Sequence, residues 1–204
     1  AQQSAFYSKV FADIGFKPED FKTVDDIRRL PFTTKDNLRA NYPFGLLTCS
    51  KDDIVRMHCT SGTTGNPAAV LYNRHDLDSW ANLVARSMFA TGARPGDIFQ
   101  NMSGYGLFTG GLGFQYGAEK LGCMTIPAAA GNSKRQIKLM RDFGTTCAHS
   151  VPSYLGRLHA VFLENGLDPK KDTQLKRLFI GAEPHSEETR QRIQEMFGCK
   201  AFNS

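Results

Sequence analysis

The sequence predicts an α/β protein, a mainly parallel sheet with helices on both faces, and three observations carry that expectation. From residue 97 onward, short apolar runs alternate with amphipathic stretches of about 10–15 residues, the pattern of βαβ units. Gly92, Gly144 and Gly166 close successive amphipathic stretches, as left-handed helix stops do. Apolar residues make up 41% of the 204 positions, enough for one substantial core.

The elements follow in chain order. Thr23 can cap a short helix over Val24–Leu30, ended by Pro31, and Thr34 a second one running to about Ala40. Ile54–Cys59 is strand-like, and Ala68–Tyr72 looks like a return strand. Asp76 is placed to cap a helix with Leu77, Trp80, Val84 and Met88 on one stripe. Strand-like Asp97–Met102 leads through a glycine-rich turn into a helix at Thr109–Leu121, and Cys123–Pro127 is the next strand. Ser133 should cap a helix burying Ile137, Met140 and Phe143. Thr146–His149 is strand-like and precedes a helix with Leu155, Leu158 and Phe162 facing inward. Arg177–Ile180 and Lys200–Asn203 bracket a last helix, capped by Ser186 and burying Ile193, Met196 and Phe197. Ligands of parallel sheets sit beyond the carboxyl ends of the strands, which points to loops 60–67, 103–109 and 181–185.

Composition narrows the function classes. The net charge is +5, and Lys and Arg occur in no run beyond pairs such as Arg28-Arg29 and Lys170-Lys171. A nucleic-acid partner is not expected, and the excess suits an anionic small molecule. No apolar run approaches the roughly 18 residues that cross a bilayer, so no membrane partner is expected. Five cysteines form no C-x-x-C pair and leave one over, which favours reduced thiols and a cytoplasmic location. The start Ala1-Gln2-Gln3-Ser4 lacks the basic-then-apolar order of a signal peptide. That Met-less start and the abrupt stop at Ser204 are the features expected of a piece cut from a longer protein.

Thr60-Ser61-Gly62-Thr63-Thr64-Gly65-Asn66-Pro67 concentrates hydroxyls and glycines after a strand. Such a loop offers unobstructed backbone N–H groups and hydroxyl donors, which suits a polyphosphate. Its spacing differs from G-x-x-x-x-G-K-[ST], and no Lys follows. A flexible polar loop has the same composition, and a module that senses ATP or GTP without chemistry would use it equally well.

Further stretches add specificity: Leu30-Pro31-Phe32-Thr33-Thr34-Lys35-Asp36, Tyr105-Gly106-Leu107-Phe108-Thr109-Gly110-Gly111-Leu112-Gly113, Tyr116-Gly117-Ala118-Glu119-Lys120-Leu121-Gly122 and Gly181-Ala182-Glu183-Pro184. Together with the loop at Thr60–Pro67 the chain resembles the phenylacetate–coenzyme A ligases of the adenylate-forming superfamily. The resemblance implies part of the large N-terminal domain, with a helical and turn segment over 1–50 and an AMP-binding α/β region over 51–204. It implies ATP, magnesium and coenzyme A, an aryl acid as substrate, and a homodimer of the complete protein. The acid would attack the α-phosphate of ATP, and the thiol of coenzyme A would then displace AMP. An enzyme that loads a carrier-protein thiol is the rival within this class.

By the same resemblance, Thr60, Ser61, Gly62, Thr63, Thr64 and Gly65 hold phosphates, and Gly181, Ala182, Glu183 and Pro184 line the adenine. Tyr105, Gly106, Phe108, Thr109, Gly110 and Phe114 shape the acid pocket. No catalytic residue or metal ligand is expected within 1–204, because the magnesium-binding Glu and the catalytic Lys of the family lie later. Asn66 stands where the family's loop usually has Lys. Phe114 stands where a small residue is common, and Ser103 where an aromatic is.

Bland readings stand beside these. Cys147 and His149 share a strand face, but nothing nearby completes a metal site, so His149 is expected as a satisfied local histidine. Glu183 could serve the nucleotide site or cap the helix that begins at Ser186. Tyr105 and Phe108 could be core, yet glycines at 106, 110, 111 and 113 thin the packing where a ligand would approach.

Overall fold

A computed structural model describes residues 4–60 and 67–204. Packing divides the chain into two units, Ala1–Leu77 and Asp78–Ser204.

The first unit carries α1 (Ala5–Asp13), α2 (Lys35–Ala40), β1 (Ile54–Cys59) and β2 (Ala69–Asn73). Thr34 caps α2 as expected: its Oγ1 accepts the Asn37 N–H at 3.3 Å, and Asn37 Oδ1 accepts the Thr34 N–H at 2.8 Å. Val24–Arg29 forms the expected short helix, of the 3-10 kind, with Thr23 before it and Leu30 after it. Asp26 closes this turn by accepting the N–H groups of Lys22 and Thr23. β1 and β2 pair antiparallel, from Ile54 opposite Asn73 to Cys59 opposite Ala69. β1 and β2 thus form a two-stranded sheet of their own, and residues 61–66 of the loop expected at the sheet edge lie outside the described residues.

The helix α3 (Arg74–Ala90) opens with a correction. Its cap is Asn73, whose Oδ1 accepts the Asp76 N–H at 2.9 Å, while Asp76 Oδ2 accepts the Asn73 N–H at 3.0 Å. Asp76 thus occupies the third helical position of a reciprocal capping box.

In the second unit, β3 (Ile98–Asn101), β4 (Met124–Ile126), β5 (Cys147–Ser150), β6 (Arg177–Ile180) and β7 (Lys200–Asn203) form a parallel sheet in the order β4-β3-β5-β6-β7. Between them run α4 (Thr109–Leu121), α5 (Ser133–Phe143), α6 (Pro152–Glu164), α7 (Pro169–Asp172) and α8 (Glu187–Phe197). The predicted fold class is the one observed.

Strand alternation distributes the core between the two faces. Ala148, Leu178, Ile180 and Ala201 pack with Met140, Leu155, Leu158, Phe162, Ile193 and Phe197 of α5, α6 and α8. Phe99, Cys147 and Phe179 pack on the other face with Met88 of α3 and Ala118 of α4. α3 and α4 approach closely because α4 carries glycines where they meet. A Cβ on Gly113 would lie 2.5 Å from the Trp80 ring, and one on Gly117 2.4 Å from Val84 Cγ1.

Two details of α5 differ from expectation. Its cap is Asn132, held left-handed at φ 48° with Oδ1 accepting the Arg135 N–H, so Ser133 is already the first helical residue. Phe143 lies at the solvent side, 46% exposed. The α5 face instead buries a polar network that period alone did not reveal. Gln100 Nε2 donates to Gln136 Oε1 at 2.7 Å, Thr145 Oγ1 donates to Gln100 Oε1 at 2.9 Å, and Gln136 Nε2 donates to the Ala129 carbonyl at 2.7 Å.

Candidate substrate site

The sheet reverses its direction of growth beside β3. The chain passes from β3 through α4 to β4 on one side, then returns through α5 to set β5 on the other side. Crossovers leaving in opposite directions open a crevice beyond the carboxyl ends of β3 and β5, the usual ligand position in such sheets.

Asn101 ends β3 and organises the loop that follows. Its Nδ2 donates to the Gly111 carbonyl at 2.6 Å and to Tyr105 Oη at 3.0 Å, and its Oδ1 accepts the Ser103 N–H at 3.3 Å. Tyr105 is thereby tied to the strand end, and partial burial pushes its phenol pKa up. Gly106 faces open space, while Phe108 at the loop tip is 65% exposed. Thr109 and Gly110 begin α4. The glycines divide by role: a Cβ on Gly111 would lie 2.4 Å from the Gly104 carbonyl oxygen, and Gly113 abuts Trp80. Gly111 and Gly113 thus serve internal packing, which corrects the reading that all four glycines clear space for a ligand.

Across the crevice, His149 near the end of β5 is 3% exposed. Its Nδ1 is 2.8 Å from Ser103 Oγ, and the Phe114 ring stacks on the imidazole with centroids 3.9 Å apart and planes 18° from parallel. Phe114 also reaches Phe179 and Phe99, at 5.4 and 6.1 Å. Gly110 lies beside the imidazole, where a Cβ would be 3.7 Å from Cε1. Burial lowers the His149 pKa to about 4, so the ring is neutral at pH 7. Ser150, the next residue, points to the other face by strand alternation, and its Oγ is buried with no hydrogen-bond partner among the described residues. Sequence reasoning missed the Ser103–His149 pair. The available signal was the position of both residues at the carboxyl ends of adjacent strands.

Gly181–Pro184 follows β6 at the same edge of the sheet. A Cβ on Gly181 would lie 2.3 Å from Ser204 Oγ and 2.8 Å from the Ser204 carbonyl oxygen, so the close approach of Ser204 accounts for this glycine. Ala182 adopts φ 66°, a left-handed conformation that L side chains rarely take. Glu183 accepts the Ser153 N–H through Oε1 and the Ser153 hydroxyl through Oε2, the latter at 2.9 Å. It therefore caps α6, which corrects the alternative that placed it on the helix after Ser186. Ser186 caps α8 itself by accepting the Thr189 N–H at 3.3 Å. His185 braces the turn against β7, with Nε2 2.9 Å from Asn203 Oδ1, and its pKa is raised chiefly by that hydrogen bond.

Of the residues expected to hold phosphates, Thr60 is described. Its N–H donates to the Ala68 carbonyl and its Oγ1 accepts the Ala68 N–H, both at 3.1 Å, which ties the two ends of the loop together. Ser61, Gly62, Thr63, Thr64 and Gly65 lie outside the described residues. Among the described residues, no group of three His, Cys, Asp or Glu side chains is placed to hold a metal ion. No described helix is long and apolar enough to cross a membrane. A groove of about 700 Å³ lined by Thr91, Arg177, Gln194 and Lys200 opens at the amino ends of the strands, opposite the switch-point crevice.

Residues 17–204 match the family described as AMP-binding enzyme, and the chain belongs to that family. It is 43% identical over 197 residues to the phenylacetate–coenzyme A ligase of Pseudomonas putida, a match covering 97% of this chain and 45% of that protein. It is 41% identical over 198 residues to the phenylacetate–coenzyme A ligase of Escherichia coli K12, again covering 97% and 45%. The chain thus spans a little under half the length of these relatives. In structure it is similar to a 2-hydroxyisobutyryl-CoA ligase solved with 2-HIB-AMP and CoA in the thioesterification state. That match has a TM-score of 0.90 at 31% identity, over 99% of this chain and 44% of the other.

Proposed function

We propose that this chain forms part of the large domain of an acid–coenzyme A ligase, which converts a carboxylic acid and ATP to an acyl adenylate and then to a thioester. The observation that supports this most is the switch-point crevice, where the segments beginning at Tyr105 and Gly181 meet the ends of β3, β5 and β6. The similarity to phenylacetate–coenzyme A ligases makes an aryl acid the first candidate substrate.

Each segment has a role in this reading. Thr60, Ser61, Gly62, Thr63, Thr64 and Gly65 hold the phosphates of ATP with hydroxyl and backbone donors. Gly181, Ala182, Glu183 and Pro184 border the base. Glu183 acts from within the fold here, because its carboxylate holds the start of α6 and so fixes the turn beside the nucleotide. Tyr105, Gly106, Phe108, Thr109 and Gly110 form the acid side of the crevice, and Phe114 closes it. Magnesium would neutralise charge on the phosphates as the acid attacks. The described residues supply no cluster that fits it, so its ligands are assigned to other parts of the enzyme. The acid needs no general base, being ionised at neutral pH.

The test is acid-dependent exchange of pyrophosphate into ATP by the full-length protein. Replacing Thr63 and Thr64 with Val should weaken it strongly, since each lost hydrogen bond to a charged group costs about 1.5–3 kcal/mol. Unchanged exchange in that double variant would refute the phosphate-loop assignment.

A further inference from the structure

The Gly181–Pro184 turn carries backbone strain and is tied down from two sides. Ala182 holds φ 66°, a conformation costly for an L residue that persists only where neighbouring contacts over-determine it. One tie is the Glu183 carboxylate on Ser153 at the start of α6. The other is His185, which no step of the chemistry above uses. Its Nδ1 is 3.1 Å from the Glu183 carbonyl oxygen and its Nε2 is 2.9 Å from Asn203 Oδ1, so one imidazole bridges the turn to the carboxyl end of β7. Both partners are oxygens. A carbonyl only accepts, so Nδ1 carries a proton, and the Nε2 contact with Oδ1 needs a second one. The two bonds are therefore complete in the imidazolium. In the neutral ring Nε2 is an acceptor facing an acceptor, and the tie to β7 is lost unless the Asn203 amide turns over.

We infer that His185 is a positioning residue for the nucleotide: as an imidazolium it locks the Gly181–Pro184 turn against β7, and its deprotonation loosens the grip on the base of ATP. The inference rests on the ligase reading, in which this turn borders the base, and adds to it a dependence of ATP affinity on pH. The ring is held above its ordinary pKa of 6.5 first by the hydrogen bond to Asn203 and then by the one to the Glu183 carbonyl. The charge of Glu183 adds to this and that of Arg190 on α8 opposes it. Glu187 of α8 also faces the ring, its own pKa lowered chiefly by Arg190 and to a smaller extent by His185. The tie is complete below pH 6.5 and is lost as pH rises through the raised pKa of the folded protein. The Glu183–Ser153 tie does not involve the imidazole, so the turn loosens without coming free. The base takes no part in bond making, so the loss falls on the KM for ATP and leaves kcat in place.

The experiment measures kcat and the KM for ATP in acid-dependent pyrophosphate exchange by the full-length protein between pH 6 and pH 8.5. It uses saturating magnesium and the fastest acid of an aryl and aliphatic panel, and compares wild type, His185→Phe and His185→Gln. Ionisation of ATP and of other groups is common to all three, so KM ratios isolate His185. At pH 6, His185→Phe should raise the ATP KM at least about threefold with kcat within about twofold. That ratio should fall toward unity by pH 8.5, as the wild type loses the tie. His185→Gln keeps an amide donor but does not titrate, so its KM should lie between the two at pH 6, and its ratio to wild type should also fall as pH rises. This second ratio decides the matter should His185→Phe fail to fold. A ratio below about threefold at pH 6 in His185→Phe, a loss confined to kcat, or a ratio that stays constant with pH overturns the inference; constancy is the result expected if the Asn203 amide turns over. Each of these leaves the ligase reading standing. Absence of acid-dependent exchange in the wild type would remove both.

Discussion

The contact between α3 and α4 makes two glycine-to-alanine substitutions opposite in sign. In an unobstructed helix interior, Ala is favoured over Gly by about 1 kcal/mol. Gly156 in α6 has nothing within 4 Å of a new Cβ, so Gly156→Ala should stabilise by about that amount. Gly117 in α4 is different: a Cβ would lie 2.4 Å from Val84 Cγ1, 2.6 Å from Val84 Cβ and 3.2 Å from the Ala85 backbone nitrogen. Carbon atoms in comfortable contact sit about 3.5–4.0 Å apart, so the overlap exceeds 1 Å. Val84 is β-branched and stiff, and its Cβ cannot move without its backbone. Relief requires α3 to retreat, which loosens Met88 against Phe99 and Ala118. Overpacking of this kind costs about 3 kcal/mol at the upper end, leaving a net loss of about 2 kcal/mol for Gly117→Ala. The two variants then differ by about 3 kcal/mol, with Gly117→Ala melting below the wild type and Gly156→Ala above it. Thermal unfolding of the full-length protein followed by circular dichroism measures both. A Gly117→Ala protein melting at or above the wild type would refute the close approach of α3 and α4.

Glu183→Ala should lower stability by about 1–2 kcal/mol, because α6 loses a carboxylate at its first turn; an unchanged Tm would contradict the capping role. Gln136→Leu should cost about 2–3 kcal/mol in chemical denaturation, since Gln100 Nε2 keeps only the Gln136 main-chain carbonyl and the Ala129 carbonyl loses its side-chain donor, and a loss below about 1 kcal/mol would argue against the network. His149 titrates at about 4 when folded against an ordinary 6.5, so its contribution is complete above pH 6.5 and is lost as pH falls from 6.5 toward 4. At about 1.4 kcal/mol per pH unit the loss totals roughly 3 kcal/mol, and a His149→Gln protein should lack that part of the slope. Denaturation midpoints at pH 7 and pH 4.5 compare the two, and equal slopes would contradict the burial of a neutral imidazole.

How much of this was legible depended on whether the cause was local. β1, β6 and β7 were read at their observed bounds, because apolar alternation and the flanking turns sit within a few residues. The other strands shifted by a residue or so at their ends. Caps were displaced at α3 and α5 for one reason: Asn73, three residues before Asp76, and Asn132, one residue before Ser133, take the role first. The left-handed φ of Asn132 gives no sequence signal beyond the residue type. Non-local causes stayed hidden. Ser103 and His149 are 46 residues apart, and strand order alone brings them together. Gly111 and Gly113 read as room for a ligand, yet Gly104 and Trp80 occupy that room. Glu183 was tied to the nearer helix, while the fold delivers the first turn of α6 to its carboxylate.

The central claim concerns how ATP is broken, and a product analysis addresses it most directly. Full-length protein incubated with ATP, magnesium, coenzyme A and a panel of aryl and hydroxy acids is sampled by chromatography for nucleotide and thioester. The account predicts acid-dependent formation of AMP, pyrophosphate and an acyl–coenzyme A in equal amounts. ADP and inorganic phosphate as the products, or ATP turnover that is indifferent to the acid, would contradict it.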